Sequence, residues 1–295
     1  MYQERTFIKK ALTFIIFAII PLTVFATVML LPFIYGLFAT FTDWTGVRDT
    51  VEIVGFENFE RAVNDQLFWD SLWLTFRYVF FVLVFTNIVA LLLALLVTSG
   101  LKSQNAFRVS FFTPNLIGGV ILGFIWVFIF NRVFVSFGRM IELELLSFSW
   151  LGDAQRSLWA LIIVSVWQLS GYMMLIYIAG LMNVPGSVIE AARIDGATGF
   201  QLFRKIKLPL MVPAFTVSLF LTLQRAFMTY DLNLTLTAGG PFRSTELAAM
   251  HIYNEAFRLR NFGVGQAKAF IFFMIVAAIA VAQVIALKRK EVEAL

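Results

Sequence analysis

Residues 190–209 read Glu-Ala-Ala-Arg-Ile-Asp-Gly-Ala-Thr-Gly-Phe-Gln-Leu-Phe-Arg-Lys-Ile-Lys-Leu-Pro. They belong to a polar, cation-bearing island, 183–208, set between two long apolar runs. A chain whose connections are otherwise short does not need such an island merely to reverse direction. Its local chemistry predicts a compact helix-turn-helix. Ser187 can cap a helix, with Glu190 three residues on to close a capping box. Gly196 follows Asp195 where that helix should stop, since glycine tolerates the left-handed conformation of a helix end. Thr198 with Gln201 offers a second capping box, opening a short helix that carries Phe200, Phe203 and Ile206. Pro209 suits the first turn of the next apolar run. The expected product is a small preformed knob with an Ala191/Ala192 face, a shape that fits a groove on a partner.

The apolar runs on either side fix the class. Of 295 residues, 60% are hydrophobic, 34 are Phe and only 14% are charged. Apolar stretches of about 18 or more residues read as membrane spans. Six are expected, at roughly 11–38, 72–99, 108–131, 158–182, 209–230 and 267–287, giving an all-α polytopic membrane protein read as one six-span domain over 1–295. The first run is too long for a signal-peptide core and shows no small-x-small cleavage site, so it reads as an uncleaved span with Pro21 and Pro32 as kink points. The third starts close to Pro114 and is broken near Gly118 and Gly119.

An even number of spans places both termini on one side. The short segments on that side carry Arg5, Lys9, Lys10, Lys102, Arg108, Arg193, Arg204, Lys205, Lys207, Lys288, Arg289 and Lys290. The three opposite loops, 39–71, 132–157 and 231–266, are longer. The first holds Arg48 and Arg61 among the acids Asp43, Asp49, Glu52, Glu57, Glu60, Asp65 and Asp70. Basic density in short loops marks the cytoplasmic face, which puts both termini and the island in the cytoplasm. The net charge of +5 has the same origin and implies no nucleic-acid partner. Within the last outer loop, Leu247, Met250, Tyr253 and Phe257 recur at helical spacing behind Thr245 as N-cap, predicting an amphipathic helix.

Catalytic readings fall away. The chain has no cysteine and one histidine, His251, so neither a thiol nor a His-pair metal site is expected, and His251 reads as structural. No Gly-x4-Gly-Lys-Ser/Thr loop exists to hold ATP, and Gly263-Val-Gly265 follows no strand. No Asp/Glu pair lies within a span to suggest a proton relay. Two polar clusters inside spans stand out instead. One contains Thr222, Gln224, Arg225, Thr229, Tyr230, Asp231 and Asn233; the other contains Trp167, Gln168, Ser170 and Tyr172. Arg225 is read either as a structural cation that snorkels or pairs with an acid, or as the wall of a water-filled pathway. The aromatic cluster is either helix packing or a surface for sugar rings, which present apolar faces and many hydroxyls. Asn87 reads as an interhelical hydrogen bond.

Glu190-Ala-Ala, three residues, Gly196, nine residues and Ile206-x-Leu208-Pro209 resemble the signature loop of permease subunits of binding-protein-dependent ABC importers. The flanking Phe107-Arg108, Pro114, Trp126, Trp150-Leu151, Trp167-Gln168, Ala179-Gly180-Leu181 and Leu236-Thr-Ala-Gly-Gly-Pro241 are similar to the carbohydrate-uptake members, of the type equivalent to the larger maltose permease without its additional outer domain. The resemblance implies the six-span type I importer permease fold and a plasma-membrane location in a prokaryote. It implies a second, homologous permease subunit, two ATPase subunits that bind ATP and magnesium in place of any cofactor on this chain, and an extracytoplasmic sugar-binding protein. It assigns Glu190, Ala191, Ala192, Gly196, Ile206, Leu208 and Pro209 to ATPase coupling. It assigns Gln168, Leu169, Tyr172, Thr222, Arg225, Ala226, Thr229 and Asp231 to the substrate path, without enzymatic activity in the chain itself. Arg225 and Asp231 depart from the maltose pattern, so maltose itself is not implied. The same machinery carrying glycerol phosphate or another anion is one alternative. A self-sufficient channel or secondary transporter is the other, although the two matched halves such a protein would show are not found.

Overall fold

A computed structural model describes residues 7–47, 51–100 and 102–293. Arg5, Arg48 and Asp49, counted above in the charge asymmetry, lie outside the described residues. Helix dominates and no strand occurs among the described residues; a single antiparallel bridge joins Thr42 and Ile53.

In chain order, α1 (Phe7–Phe25) runs through a π-helical turn (Ala26–Leu30) into α2 (Leu31–Ala39). Pro21 lies inside α1 and Pro32 falls in the first turn of α2, so the two prolines flank the π turn. A short α3 (Glu57–Asn64) precedes α4 (Gln66–Val97). Then come α5 (Gln104–Phe112), a 3-10 turn (Thr113–Leu116), α6 (Gly119–Phe128), a second π turn (Ile129–Val133) and α7 (Phe134–Met140). The long α8 (Ala154–Met182) is capped by the Asp153 carboxylate, which accepts from the Gln155 and Arg156 amides. The island supplies α9 (Gly186–Ile194) and α10 (Gly199–Leu202), followed by α11 (Leu208–Leu210), α12 (Val212–Phe227), α13 (Asp231–Leu236), α14 (Ala248–Tyr253) and α15 (Phe262–Glu293).

Among the described residues, five helical stretches are long and apolar enough to cross a membrane. A sixth arises if 199–210 and Val212–Phe227, bent by 67° at Met211, count as one span. With the bent pair counted as one span, the six expected spans are present with shifted edges. The third is the largest correction: it runs Gly119–Met140, not 108–131. Pro114, which lacks an amide hydrogen, and the extended Ile117 and Gly118 separate α5 from the span proper. The outer loop expected from 132 accordingly starts only after Met140. The fifth span opens at Val212 with Pro213 in its first turn; Pro209 sits before the bend. The last span reaches back to Phe262, inside the expected 231–266 loop.

The chain divides into two compact units. In the unit formed by 1–65 and 252–271, Asn58 is buried and its Nδ2 donates to the carbonyls of Thr40 and Thr42. Phe262 packs its ring on Trp44, 5.0 Å between centroids. Along α1 and α2 the apolar side chains from Leu12 to Phe38 stay largely exposed, Phe17 at 75%. Such a surface suits lipid, which removes nothing from water that packing would gain.

In the unit formed by 66–251 and 272–295, α4, α8 and α12 pack on one another. One apolar cluster centres on Tyr78, Val82, Leu161, Ile162 and Phe227. A second centres on Ala90, Ala94, Met173, Tyr177 and Met211. Asn87 joins the three helices: its Oδ1 accepts from Tyr177 (2.7 Å) and Ser218 (2.6 Å), and its Nδ2 donates to Leu83 O. That is the interhelical role its sequence position suggests. The expected Thr245 cap of the outer helix is not made. Thr245 is buried and donates to Thr237 and to Gly240 O, while the Ala248 amide that opens α14 is served by Thr75 Oγ1, 173 residues away. His251 is buried beside Phe68, with Nδ1 3.0 Å from Arg243 and 3.4 Å from Glu246.

Candidate functional site

The island folds as a helix-turn-helix, with one cap different from the expected one. Pro185, not Ser187, stands at the N-cap of α9 and makes no side-chain cap; Ser187 is already inside the helix, so no box with Glu190 forms. The C-terminal stop is as expected. Gly196 takes φ +78°, its amide bonds Arg193 O and the Ala197 amide bonds Ala192 O, the paired bonds of a Schellman motif. Thr198 and Gln201 then close a capping box on α10. The second helix gives way after Leu202 to a π turn, Phe203–Lys207, that holds Ile206 and the basic Arg204, Lys205 and Lys207.

The two alanines do not form one face: Ala192 is buried at 8% and Ala191 is exposed. What the knob displays is Glu190, Ala191, Ile194 at 86% and Phe200 at 70%, with Gly196 and Pro209 also exposed and Leu208 half-buried. A rigid turn holding large apolar side chains in solvent is a surface made to be covered. Phe200 was named from sequence only as an apolar residue of the second short helix, and Ile194 was not singled out; its place beside the expected helix stop was the available signal.

A cavity of about 300 Å³ opens in the unit built on α4, α8 and α12. Ser165, Gln168, Leu169, Gln224, Arg225, Met228, Thr229, Tyr230, Asp231 and Leu232 line it. Gln168, Leu169, Arg225, Thr229 and Asp231 thus come together as the sequence suggests. Three expected members do not line it. Thr222 is fully buried, bonded to Ser218 O and facing Asn87. Ala226 is fully buried in the apolar core. Tyr172 lies behind Arg225, whose guanidinium carbon is 5.1 Å from the ring centroid in a cation–π contact. Helical spacing alone does not distinguish the side of a polar stripe that meets the cavity from the side that meets a neighbouring helix.

The two charges have local causes. Arg225 lies in the last turn of α12 and Asp231 in the first turn of α13, where helix ends favour a cation and an anion respectively. Arg225 Nη1 donates to Asn115 Oδ1 at 2.7 Å, and Gln168 Nε2 to Ile117 O at 3.0 Å. Tyr78 supports the wall from behind, its hydroxyl 2.7 Å from Ser165 and 3.2 Å from Thr229. Asn115 and Tyr78 were invisible to sequence reasoning, being 110 and 151 residues from their partners. The Trp167 indole packs edge-on against Trp126, 5.5 Å between centroids, so that part of the aromatic cluster is helix packing.

Residues 86–289 match the family described as the binding-protein-dependent transport system inner membrane component. The chain belongs to this family. The inner membrane component from Thermoanaerobacterium thermosulfurigenes named a probable starch degradation products transport system permease protein is 42% identical over 293 residues, 99% of this chain and 100% of that one. A multiple sugar-binding transport system permease protein of Streptococcus mutans is 29% identical over 94% of this chain and 95% of its own length. A chain of a bacterial ABC transporter involved in import of the acidic polysaccharide alginate shares the fold, with TM-score 0.81 over 97% of this chain and 99% of that one at 20% identity. This inner membrane component is therefore a membrane-spanning transporter subunit with an ABC importer permease fold.

Proposed function

We propose that the chain is the permease subunit of an ATP-driven sugar importer, forming half of a path for oligosaccharides beside a second, homologous permease. The observation that carries the reading is the rigid, exposed knob of α9 and α10 in a transport permease that has no phosphate-binding loop of its own. The knob seats in a groove of an ATPase subunit, two copies of which bind ATP and magnesium. An extracytoplasmic sugar-binding protein delivers the solute to the opposite face. Both termini and the knob lie in the cytoplasm, a reading supported by the basic residues of the short segments. Glu190, Ala191, Ala192, Gly196, Ile206, Leu208 and Pro209 belong to the coupling element; Gln168, Leu169, Arg225, Thr229 and Asp231 face the solute. The cavity, with amide, hydroxyl and mixed charges, suits a neutral polyhydroxylated ligand, and the names of the sugar-transporting relatives support the same class.

The test is co-purification of the ATPase from membranes carrying the wild type or Ile194→Asp. Placing a carboxylate where a large apolar side chain is displayed should release the ATPase and abolish uptake of maltodextrins while the chain still inserts. Retention of the ATPase with normal uptake would reduce the island to a connector. A second reading, import of an anion by the same machinery, is favoured by the exposed Arg225; Asp231 in the same cavity weighs against it. Competition of maltodextrin uptake by glycerol phosphate separates the two.

A further inference from the structure

We infer that the substrate-facing side chains Arg225 and Gln168 double as a latch on the break between α5 and α6, so that a sugar competes with the break for the same side chains. The inference rests on the proposed sugar path. After α5 the chain tightens into the 3-10 turn Thr113–Leu116 and then runs extended through Ile117 and Gly118, and such a break frees backbone groups that have no partner in their own helix. Ile117 O is satisfied by Gln168 Nε2 at 3.0 Å, and Asn115 Oδ1 by Arg225 Nη1 at 2.7 Å. Both donors line the cavity. With Gln224 they are the long flexible donors there that a sugar hydroxyl would seek, and both already hold the break.

The break is also held from the α8 side. A Cβ on Gly171 would stand 1.8 Å from Phe111 O, so backbone meets backbone at the end of α5. The Tyr172 ring beneath the Arg225 guanidinium, centroid 5.1 Å away, keeps the cation in place while one acceptor is exchanged for another. Arg225 and Gln168 keep further N–H groups beside the engaged ones, so sugar and break compete for the placement of the same side chains, and that competition is a coupling. Whatever loosens 113–118 favours sugar, and sugar loosens 113–118 by the same factor. Asn115 is thus a positioning residue that sets apparent affinity without touching the solute.

The measurements use the assembled transporter in lipid nanodiscs or vesicles, with maltotriose as probe. Asn115→Ala frees Arg225 and should lower the half-saturating maltotriose concentration about three- to tenfold. Asn115→Asp binds Arg225 more tightly and should raise it by a similar factor. A purely structural asparagine would impair both variants in the same direction, and that outcome, or no change in either, would overturn the latch. The unmutated protein gives a second reading that does not depend on a variant folding: amide exchange of 115–118 should quicken on adding maltotriose. Unchanged or slowed exchange would overturn it. Should the wild type take up no maltotriose, this sugar is not its cargo. The latch is then read without sugar: Asn115→Ala must quicken exchange of 115–118 and Asn115→Asp must slow it, and any other order would overturn it.

Discussion

Lys268 has only 1% of its surface exposed, and its ammonium lies 2.6 Å from Asp65 and 2.7 Å from Glu255. Glu255 also accepts from Asn261 Nδ2 at 2.8 Å. Two carboxylates share one cation. Lys268→Met should destabilise the protein by roughly 3–5 kcal/mol, because it strands buried negative charge. A fall in the detergent melting temperature measures it, and an unchanged temperature would show the cluster to be dispensable. Asn87 makes the complementary case with no charge. Asn87→Ala removes the acceptor shared by Tyr177 and Ser218 and should cost about 0.6–2 kcal/mol, the range for interhelical hydrogen bonds in a membrane. A lone asparagine in an apolar span announces itself in a sequence. A lysine whose acidic partner is 203 residues away does not.

Among elements, α9 and α10 were readable because helix ends obey local rules. The Schellman turn at Gly196 and the Thr198–Gln201 box involve residues within five positions of one another. Two substitutions there should differ in kind. Thr198→Ala removes one cap, about 1 kcal/mol of local stability, and should leave uptake nearly intact. Gly196→Pro forbids φ +78° and deletes the amide that bonds Arg193 O, so it should abolish uptake with the chain still inserted. Equal uptake in both variants would mean the turn geometry is irrelevant to coupling. The break at 113–118 was only half readable. Gly118 and Gly119 marked the break, yet the span was started near Pro114 and its register slipped, because extended residues interrupt a run that hydropathy treats as continuous. There Gly171→Ala should spoil uptake more than its size suggests, since the added Cβ would meet Phe111 O at 1.8 Å and push α5 away; wild-type uptake rates would rule this out.

For the molecule as a whole, the prediction concerns what is missing. The purified chain should neither hydrolyse ATP nor move sugar across vesicles, and both activities should return only with an ATPase, a second permease and a binding protein. Robust hydrolysis by the chain alone would defeat the assignment. Within the assembled transporter, Arg225→Ala should cut maltodextrin uptake roughly tenfold or more at low sugar, as loss of a hydrogen bond from a charged group implies, while ATPase association persists. Normal uptake would return Arg225 to a structural role at the end of α12.

By itself the sequence determined the class, the six apolar stretches, the knob and the family resemblance. Each rests on composition or on residues a few positions apart, where hydrophobicity, proline geometry and capping act without help from the rest of the chain. Only the tertiary structure decided which polar residues face open space. Thr222 and Arg225 share a helix and a spacing, yet one is sealed against Asn87 and the other reaches across the cavity to Asn115. It also decided what caps α14, what surrounds Lys268 and what holds the break after α5. The reason is common to all of these: a polar group in an apolar environment must find a partner, and the partner is supplied by whichever element packing brings alongside, at any distance along the chain.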